Sequence, residues 1–327
     1  MPNSIESITQ IPGIFAAHTT NSERATGCTV IICPAGATGG VDVRGGAPAT
    51  RETDLLRPEE TVDVLHAVVL SGGSAFGLEA SCGVANELAR QGIGLDVGVG
   101  VVPIVSGACL FDLACGDAHA HPTREDGELA CRVALSRENP PSPLERGCVG
   151  AGTGCTVGKL AGPERAMKSG LGEAVSQGPN GLVCGAIAAV NAVGDIHDPF
   201  TGSWIAGMRD EKTNLPQGAS LAALLDQTAS MPLERTNTTI SCIVTNAKLT
   251  KAQATKVAQM AADAYAHAIV PTHTTNDGDT IFVMATGEIP ADVDVVGALA
   301  QNALESAIVD GARQAISSYG FIAACDV

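Results

Sequence analysis

Apolar positions along the chain follow two rhythms, and together they predict alternating strands and helices. Residues 26–33 are β-branched and apolar and read as a strand stopping at the turn residues Pro34-Ala35-Gly36. Val41-Asp42-Val43-Arg44 forms a second extended piece before Gly45-Gly46. Residues 66–70 predict a strand that runs into Ser71-Gly72-Gly73-Ser74. The stripe Ala80, Val84, Ala85 and Leu88 then predicts a helix over about 75–90, with Ser74 as its N-cap. Further on, 99–105 reads as a buried strand, 128–137 as a short helix, and 139–143 as a proline-rich break.

The second half repeats the pattern with different punctuation. The near-continuous apolar run 182–193 predicts a strand buried on both faces. Residues 210–235 turn polar and irregular and read as a mobile linker. A strand over 239–245 follows, then a helix opened by the capping box Thr250 and Gln253, with Ala254, Val257, Ala261, Ala264, Tyr265 and Ala268 facing inward. Asp277-Gly278-Asp279-Thr280 leads a strand over 280–286, and 294–318 predicts a long helix. The order fits either an α-β-β-α layering or a doubly wound α/β sheet, and periodicity does not choose between them.

Composition narrows the class. Hydrophobic residues make up 45% of the 327 and aromatics only 3%, with 38 glycines. Small side chains and close backbone approaches are expected, in one large domain or two smaller ones. The formal charge of −16 argues against nucleic acid and against anionic membrane surfaces, which need a basic footprint. No apolar run approaches the ~18 residues of a membrane span. The opening Met1-Pro2-Asn3-Ser4-Ile5-Glu6 lacks the pattern of a secretory signal. Eleven cysteines, with no Cys-x-x-Cys pair, point away from zinc ribbons and disulfide scaffolds and toward a reducing cytoplasm.

The candidate chemistry starts at Asn237-Thr238-Thr239-Ile240-Ser241-Cys242-Ile243-Val244, a threonine at the head of a β-branched strand. A hydroxyl held there can attack the carbonyl before it and break the chain. The new terminus would carry an α-amine whose ordinary pKa of about 7.7–8.0 suits a general base. The tripeptide also fits a glycosylation acceptor or a plain turn. Gly72-Gly73-Ser74-Ala75-Phe76-Gly77 stands between a strand and a helix, where amides can hold an anion or a carbonyl oxygen, or merely permit a tight turn. Gly152-Thr153-Gly154-Cys155-Thr156-Val157-Gly158-Lys159 imitates a phosphate loop but lacks the Ser/Thr after the lysine. Asn191 interrupts an apolar strand, so its amide either braces the backbone or donates to something bound. Asp277 and Asp279 flank a glycine at a spacing too short for a calcium loop, so they read as a solvated turn or as holders of an ammonium.

Taken in order, these stretches resemble the DmpA-type aminopeptidase family and, around Asn237-Thr238, its nylon-oligomer hydrolases. The resemblance rests on Val41-Asp42-Val43-Arg44-Gly45-Gly46, Leu70-Ser71-Gly72-Gly73-Ser74-Ala75-Phe76-Gly77-Leu78-Glu79-Ala80, Gly158-Lys159, Asn191, Asn237-Thr238-Thr239-Ile240 and Asp277-Gly278-Asp279-Thr280. It implies a four-layer αββα sandwich of the N-terminal-nucleophile-like type shared with ornithine acetyltransferases. It also implies a single-domain precursor cut between Asn237 and Thr238, into fragments 1–237 and 238–327, and a homo-oligomer, a tetramer, of the cut protomers. Thr238 would be the nucleophile. Lys159, Asn191, Asp277 and Asp279 would be its partners, Asn191 as oxyanion donor and the aspartates holding the Lys159 and Thr238 amines. Gly72, Gly73, Ser74 and Phe111 would line the substrate, and no metal or organic cofactor is needed.

One departure bears on the substrate. The aminopeptidase branch carries a glutamate near Ser106-Gly107-Ala108-Cys109-Leu110-Phe111 that receives the substrate's free amine, and here no acid occurs before Asp112. Phe111 also stands where some members have tyrosine. The expectation is therefore a threonine amidohydrolase acting through an acyl-enzyme on short peptides or 6-aminohexanoate-type oligomers. Strict removal of N-terminal residues, acyl transfer to an amine, and a non-catalytic anion-binding α/β protein are the alternatives.

Overall fold

The structure, a computed structural model, describes residues 5–136, 143–226 and 237–327. Residues 139–142 of the expected proline-rich break, 227–235 of the expected linker and the first four residues lie outside these. The principal strands are β1 (Phe15–Asn21), β2 (Thr26–Val43), β3 (Ala49–Arg51), β4 (Leu65–Ser71), β5 (Val105–Cys109), β6 (Leu171–Gln177), β7 (Val183–Asn191), β8 (Thr238–Lys248) and β9 (Thr280–Pro290). The principal helices are α1 (Glu79–Arg90), α2 (Arg124–Leu135), α3 (Lys251–Ala261) and α4 (Val293–Arg313).

Strand β2 is the hinge of the architecture. Its first part pairs antiparallel with β1 and β4, and its last part, from Thr38 to Val43, pairs with β9. Two sheets result, ordered β1-β2-β4-β5-β3 and β6-β7-β8-β9-β2, with β4–β5 and β8–β9 the parallel pairs. Pro34-Ala35-Gly36 therefore does not end the strand as expected. The register on β4 slips between Ile32 and Ala37, and Gly36 adopts φ +83°, so the three residues form an irregularity that carries one strand from sheet to sheet.

The period-2 pattern sorts side chains into three apolar layers. On β4, Val68 and Leu70 face the other sheet, where Ile187, Ile240, Cys242, Val244, Phe282 and Met284 meet them. Ala67 and Val69 face outward under Ala80, Val84 and Leu88 of α1 and Ala130, Cys131 and Ala134 of α2. The opposite faces of β7, β8 and β9 (Ala186, Ala188, Val190, Ile243, Ile281, Val283) lie under α3 and α4. Helices thus cover both outer faces of two packed sheets, the expected αββα order. The doubly wound alternative falls because β2 joins two sheets rather than extending one.

Local chemistry sets several boundaries. Thr250 and Gln253 close the capping box at the start of α3, with the Thr250 N–H on Gln253 Oε1 at 2.9 Å and the return bond at 3.3 Å. Ser74 is not an N-cap. Gly73 and Ser74 both take left-handed φ, +79° and +55°, and a 3-10 turn, Ser74–Leu78, precedes α1. The expected strand over 99–105 reduces to Val101–Val102, with Val99 98% exposed, and the buried strand begins at Val105. Within the expected linker, Ser220–Asp226 is a helix whose first residue is fixed by the buried Asp195 carboxylate, which accepts from Ser220 N at 2.8 Å and Ser220 Oγ at 2.7 Å.

Candidate active site

Thr238 opens β8 beside two neighbours. Across the antiparallel pair its register partner is Asn191, the last residue of β7. On the other side Asn237 bridges in parallel to Asp277, just before β9. Asn237 and Thr238 are both buried, which removes the glycosylation reading for the folded chain. The Thr238 hydroxyl donates a short hydrogen bond to the carbonyl oxygen of Asn237, directly behind it. The Gly278 N–H reaches Thr238 Oγ1 at 3.2 Å and Asn237 O at 3.3 Å. One amide thus touches both the hydroxyl and the carbonyl of the bond between 237 and 238. Gly278 must be glycine for this: an added Cβ would lie 2.8 Å from Thr238 Oγ1 and 3.1 Å from Ala47 O.

Lys159 arrives on a different element. Gly158, at φ +71°, packs against the backbone of Gly207 and Met208, where a Cβ would sit 2.0 Å from either, and a 3-10 turn, Lys159–Ala161, follows it. The Lys159 amine donates to Asn191 O at 3.0 Å and Asn191 Oδ1 at 2.8 Å. Burial pushes its pKa down to about 7, with the Asp277 carboxylate among the groups pulling the other way. Asn191 Oδ1 also accepts from Thr156 N at 3.0 Å, and its Nδ2 donates to Phe111 O at 2.8 Å. In the uncut chain the Asn191 amide thus braces backbone and Lys159.

The two aspartates have distinct surroundings. Burial, then the neighbouring Asp279 carboxylate, raises Asp277 to about 6, while Thr274 N donates to its Oδ2 at 2.6 Å. Asp279 Oδ1 accepts from Thr239 N at 2.7 Å. Its Oδ2 accepts from Thr272 Oγ1 and His273 N, both at 3.2 Å, and meets His273 Nδ1 at 2.9 Å. In the uncut chain Asp279 therefore holds the residue after Thr238, with its two oxygens on backbone and turn.

The glycine loop connects to this cluster indirectly. Its amides are spent inside the protein: Gly72 N on Gly27 O at 2.9 Å, Gly73 N on Asp112 Oδ1 at 2.6 Å, Ser74 N on Leu110 O at 2.9 Å. They do not form an anion hole in this structure. Phe111 joins the cluster through its carbonyl, on Asn191. Asp112, buried and raised to about 6 by desolvation, ties Gly73 to the segment that carries Phe111. Among the described residues, no group of three or more His, Cys, Asp or Glu side chains is arranged to hold a metal ion, and no helix is long and apolar enough to cross a membrane.

Residues 6–325 match the family model described as peptidase family S58. The chain belongs to that family. Relatives of this S58 chain include an uncharacterized aminopeptidase of Mycobacterium leprae (strain TN), 39% identical over 99% of this chain and 95% of the relative. A 6-aminohexanoate-oligomer endohydrolase of Kocuria sp. (strain KY2) is 29% identical over 92% and 84% of the two chains. Among solved structures, a Burkholderia sp. β-aminopeptidase superposes with a TM-score of 0.67 at 20% identity, covering 99% of this chain and 92% of that one. The L-aminopeptidase D-Ala-esterase/amidase of Ochrobactrum anthropi, described as a variant of the Ntn-hydrolase fold, gives 0.66 at 18% identity, over 98% and 92%. The S58 chain is a hydrolase of amide bonds, and its two-sheet sandwich is the fold of those aminopeptidases.

The cluster of this S58 peptidase also contains groups that the sequence alone did not single out. Gly278 was visible only as the spacer of Asp-Gly-Asp, and its N–H is what touches the Asn237–Thr238 bond. His273 stands four residues before Asp277, and proximity to that motif was the available signal. Tyr265 read as a core residue. It is fully buried, yet its hydroxyl donates to Thr239 O at 3.1 Å and reaches Ser241 Oγ at 3.0 Å.

Proposed function

We propose that the chain is a threonine amidohydrolase that cuts itself between Asn237 and Thr238 and then hydrolyses small linear amides through an acyl-enzyme. The observation that carries this is the Thr238 hydroxyl directed at the carbonyl behind it, with the Gly278 N–H on both oxygens. Self-cleavage begins with Oγ1 attacking the Asn237 carbonyl carbon. The Gly278 N–H meets the oxyanion, and one such donor is typically worth about 10²–10³ in rate. The C–N bond breaks as the C–O bond forms, and the hydroxyl proton ends on the released amine. Water then hydrolyses the ester, freeing the Asn237 carboxylate and the Thr238 hydroxyl.

Before the cut, the Thr238 nitrogen is an amide and cannot serve as base. Lys159, brought to about 7 and lying one strand away on Asn191, is the group we assign to take the proton. After the cut, the Thr238 amine takes that part, and Lys159 and Asp277 set the charge around it. Asn191 orients Lys159 in this reading, and Gly278 carries the oxyanion. The mature enzyme is a homo-oligomer of fragments 1–237 and 238–327.

The substrate reading rests on the acid-free stretch 106–111 and on Asp112, whose Oδ1 already holds Gly73 N. The stretch carries no carboxylate for a substrate's free amine and Asp112 is buried, which favours internal cleavage of flexible amides, as the name of the Kocuria relative says of that enzyme. The test is a panel of α-peptides, β-peptides and 6-aminohexanoate oligomers with blocked and free N-termini. Equal cleavage of blocked and free forms is expected. Turnover of free-amine substrates alone would support an aminopeptidase, and acyl products with an added amine would mark a transferase.

A further inference from the structure

Resting on the reading of Thr238 as a nucleophile that becomes a chain end, we infer that His273 is a positioning residue for the processed enzyme. It acts by clamping Thr239, the one residue covalently joined to Thr238 after the cut.

Both backbone groups of Thr239 are taken by groups that touch His273. The Thr239 N–H donates to Asp279 Oδ1 at 2.7 Å, and the other oxygen of that carboxylate accepts from His273 N at 3.2 Å and lies 2.9 Å from His273 Nδ1. The Thr239 carbonyl accepts from Tyr265 Oη at 3.1 Å, and the Tyr265 ring is stacked on the His273 imidazole, centroids 5.2 Å apart and planes 23° apart. One imidazole thus braces both partners of one peptide unit. His273 Nε2 is buried with no partner among the described residues, so nothing else holds the ring by that edge. The residue takes φ +55°, a left-handed conformation that glycine and asparagine tolerate best.

The clamp matters unequally to the two reactions. In the uncut chain Thr238 is anchored on both sides, since Asn237 bridges Asp277 and accepts from Gly278 N. Cleavage removes the covalent link to Asn237, so Thr239 becomes the one covalent anchor of Thr238, beside the Gly278 N–H on Oγ1 and the ladder with Asn191. A nucleophile displaced by about 1 Å can lose about 10² in rate.

The experiment compares wild type, His273→Gly and His273→Asn for self-cleavage half-time and for kcat and KM of the cut enzyme on one amide substrate. Glycine keeps the left-handed backbone and removes ring and donor. Asparagine keeps the backbone and offers Nδ2 where Nδ1 stood. The expected result for His273→Gly is self-cleavage within about threefold of wild type, kcat lowered about 10- to 100-fold and KM little changed. His273→Asn should recover most of kcat. Equal losses in cleavage and turnover, or no recovery with asparagine, would assign the residue a general folding role and overturn the inference. Wild-type kcat in His273→Gly would overturn it too. A wild-type chain that never cuts at 237–238 would instead refute the underlying functional reading, so the two failures are told apart.

Discussion

At the scale of single residues, the account turns on a lysine whose charge is marginal. Lys159 would carry a full positive charge at neutral pH in water, and burial brings it to about 7. The sign is simple: below that value the amine is protonated and cannot accept the Thr238 proton, and above it the amine is free to. Self-cleavage of freshly made precursor should therefore accelerate roughly tenfold per pH unit below 7 and level off above it. Lys159→Arg, always protonated, should stay uncut at every pH. A flat profile, or cleavage by the arginine variant, would show that another group is the base. Local pattern alone left Thr238, Lys159, Asn191, Asp277 and Asp279 each open to a plainer reading, and the family resemblance is what gathered them. The fold then sets Lys159 on Asn191, Asn191 opposite Thr238 and Asp277 beside Asn237. The roles were less legible. In the uncut chain Asn191 bonds Lys159 and Asp279 bonds Thr239, partners that no local pattern points to.

At the scale of elements, small residues decide how closely helices approach the sheets. On β6, Gly172 lies under α4 so tightly that an added Cβ would stand 2.0 Å from Ala307 O and 2.2 Å from Gly311 N, both backbone atoms. Gly172→Ala must push α4 off its sheet, and overpacking of this kind typically costs about 1–3 kcal/mol. A denaturant midpoint lowered accordingly is the expected outcome, and an unchanged midpoint would mean that α4 shifts at no cost. The same close packing explains which elements could be read in advance. Strand β7 and helices α3 and α4 announced themselves through a long apolar run, a capping box and a sustained helical period. Strand β2 did not, since its passage from one sheet to the other runs through Pro34 and Gly36, the residues that elsewhere end strands. Val99 and Val102 misled in the opposite sense, being apolar by sequence and exposed in the fold.

At the scale of the whole molecule, buried acids set how stability responds to pH. Glu173 sits under the N-terminal turn, its Oε1 accepting from Ser7 Oγ at 2.8 Å and Ile8 N at 2.6 Å, and desolvation raises it from 4.5 to about 7. A raised carboxyl favours the protonated fold, so its contribution is whole below about 4.5 and is lost as pH climbs through about 7. Glu173→Gln, always neutral, should gain stability relative to wild type between those limits, read as a growing difference in denaturant midpoint. A difference that stays constant with pH would mean Glu173 keeps its ordinary pKa in the fold. The sheet matters most for what it does at the ends of β7, β8 and β9, adjacent strands that bring residues from distant parts of the chain around one peptide bond. Denaturing electrophoresis of the purified protein, with N-terminal sequencing of the smaller band and Thr238→Ala alongside, tests that arrangement most directly. Two bands, the smaller beginning Thr-Thr-Ile-Ser, and a single inactive band for the alanine variant are the expected result. A wild-type chain that remains intact while hydrolysing amides, or an alanine variant that is still cut between 237 and 238, would contradict the account.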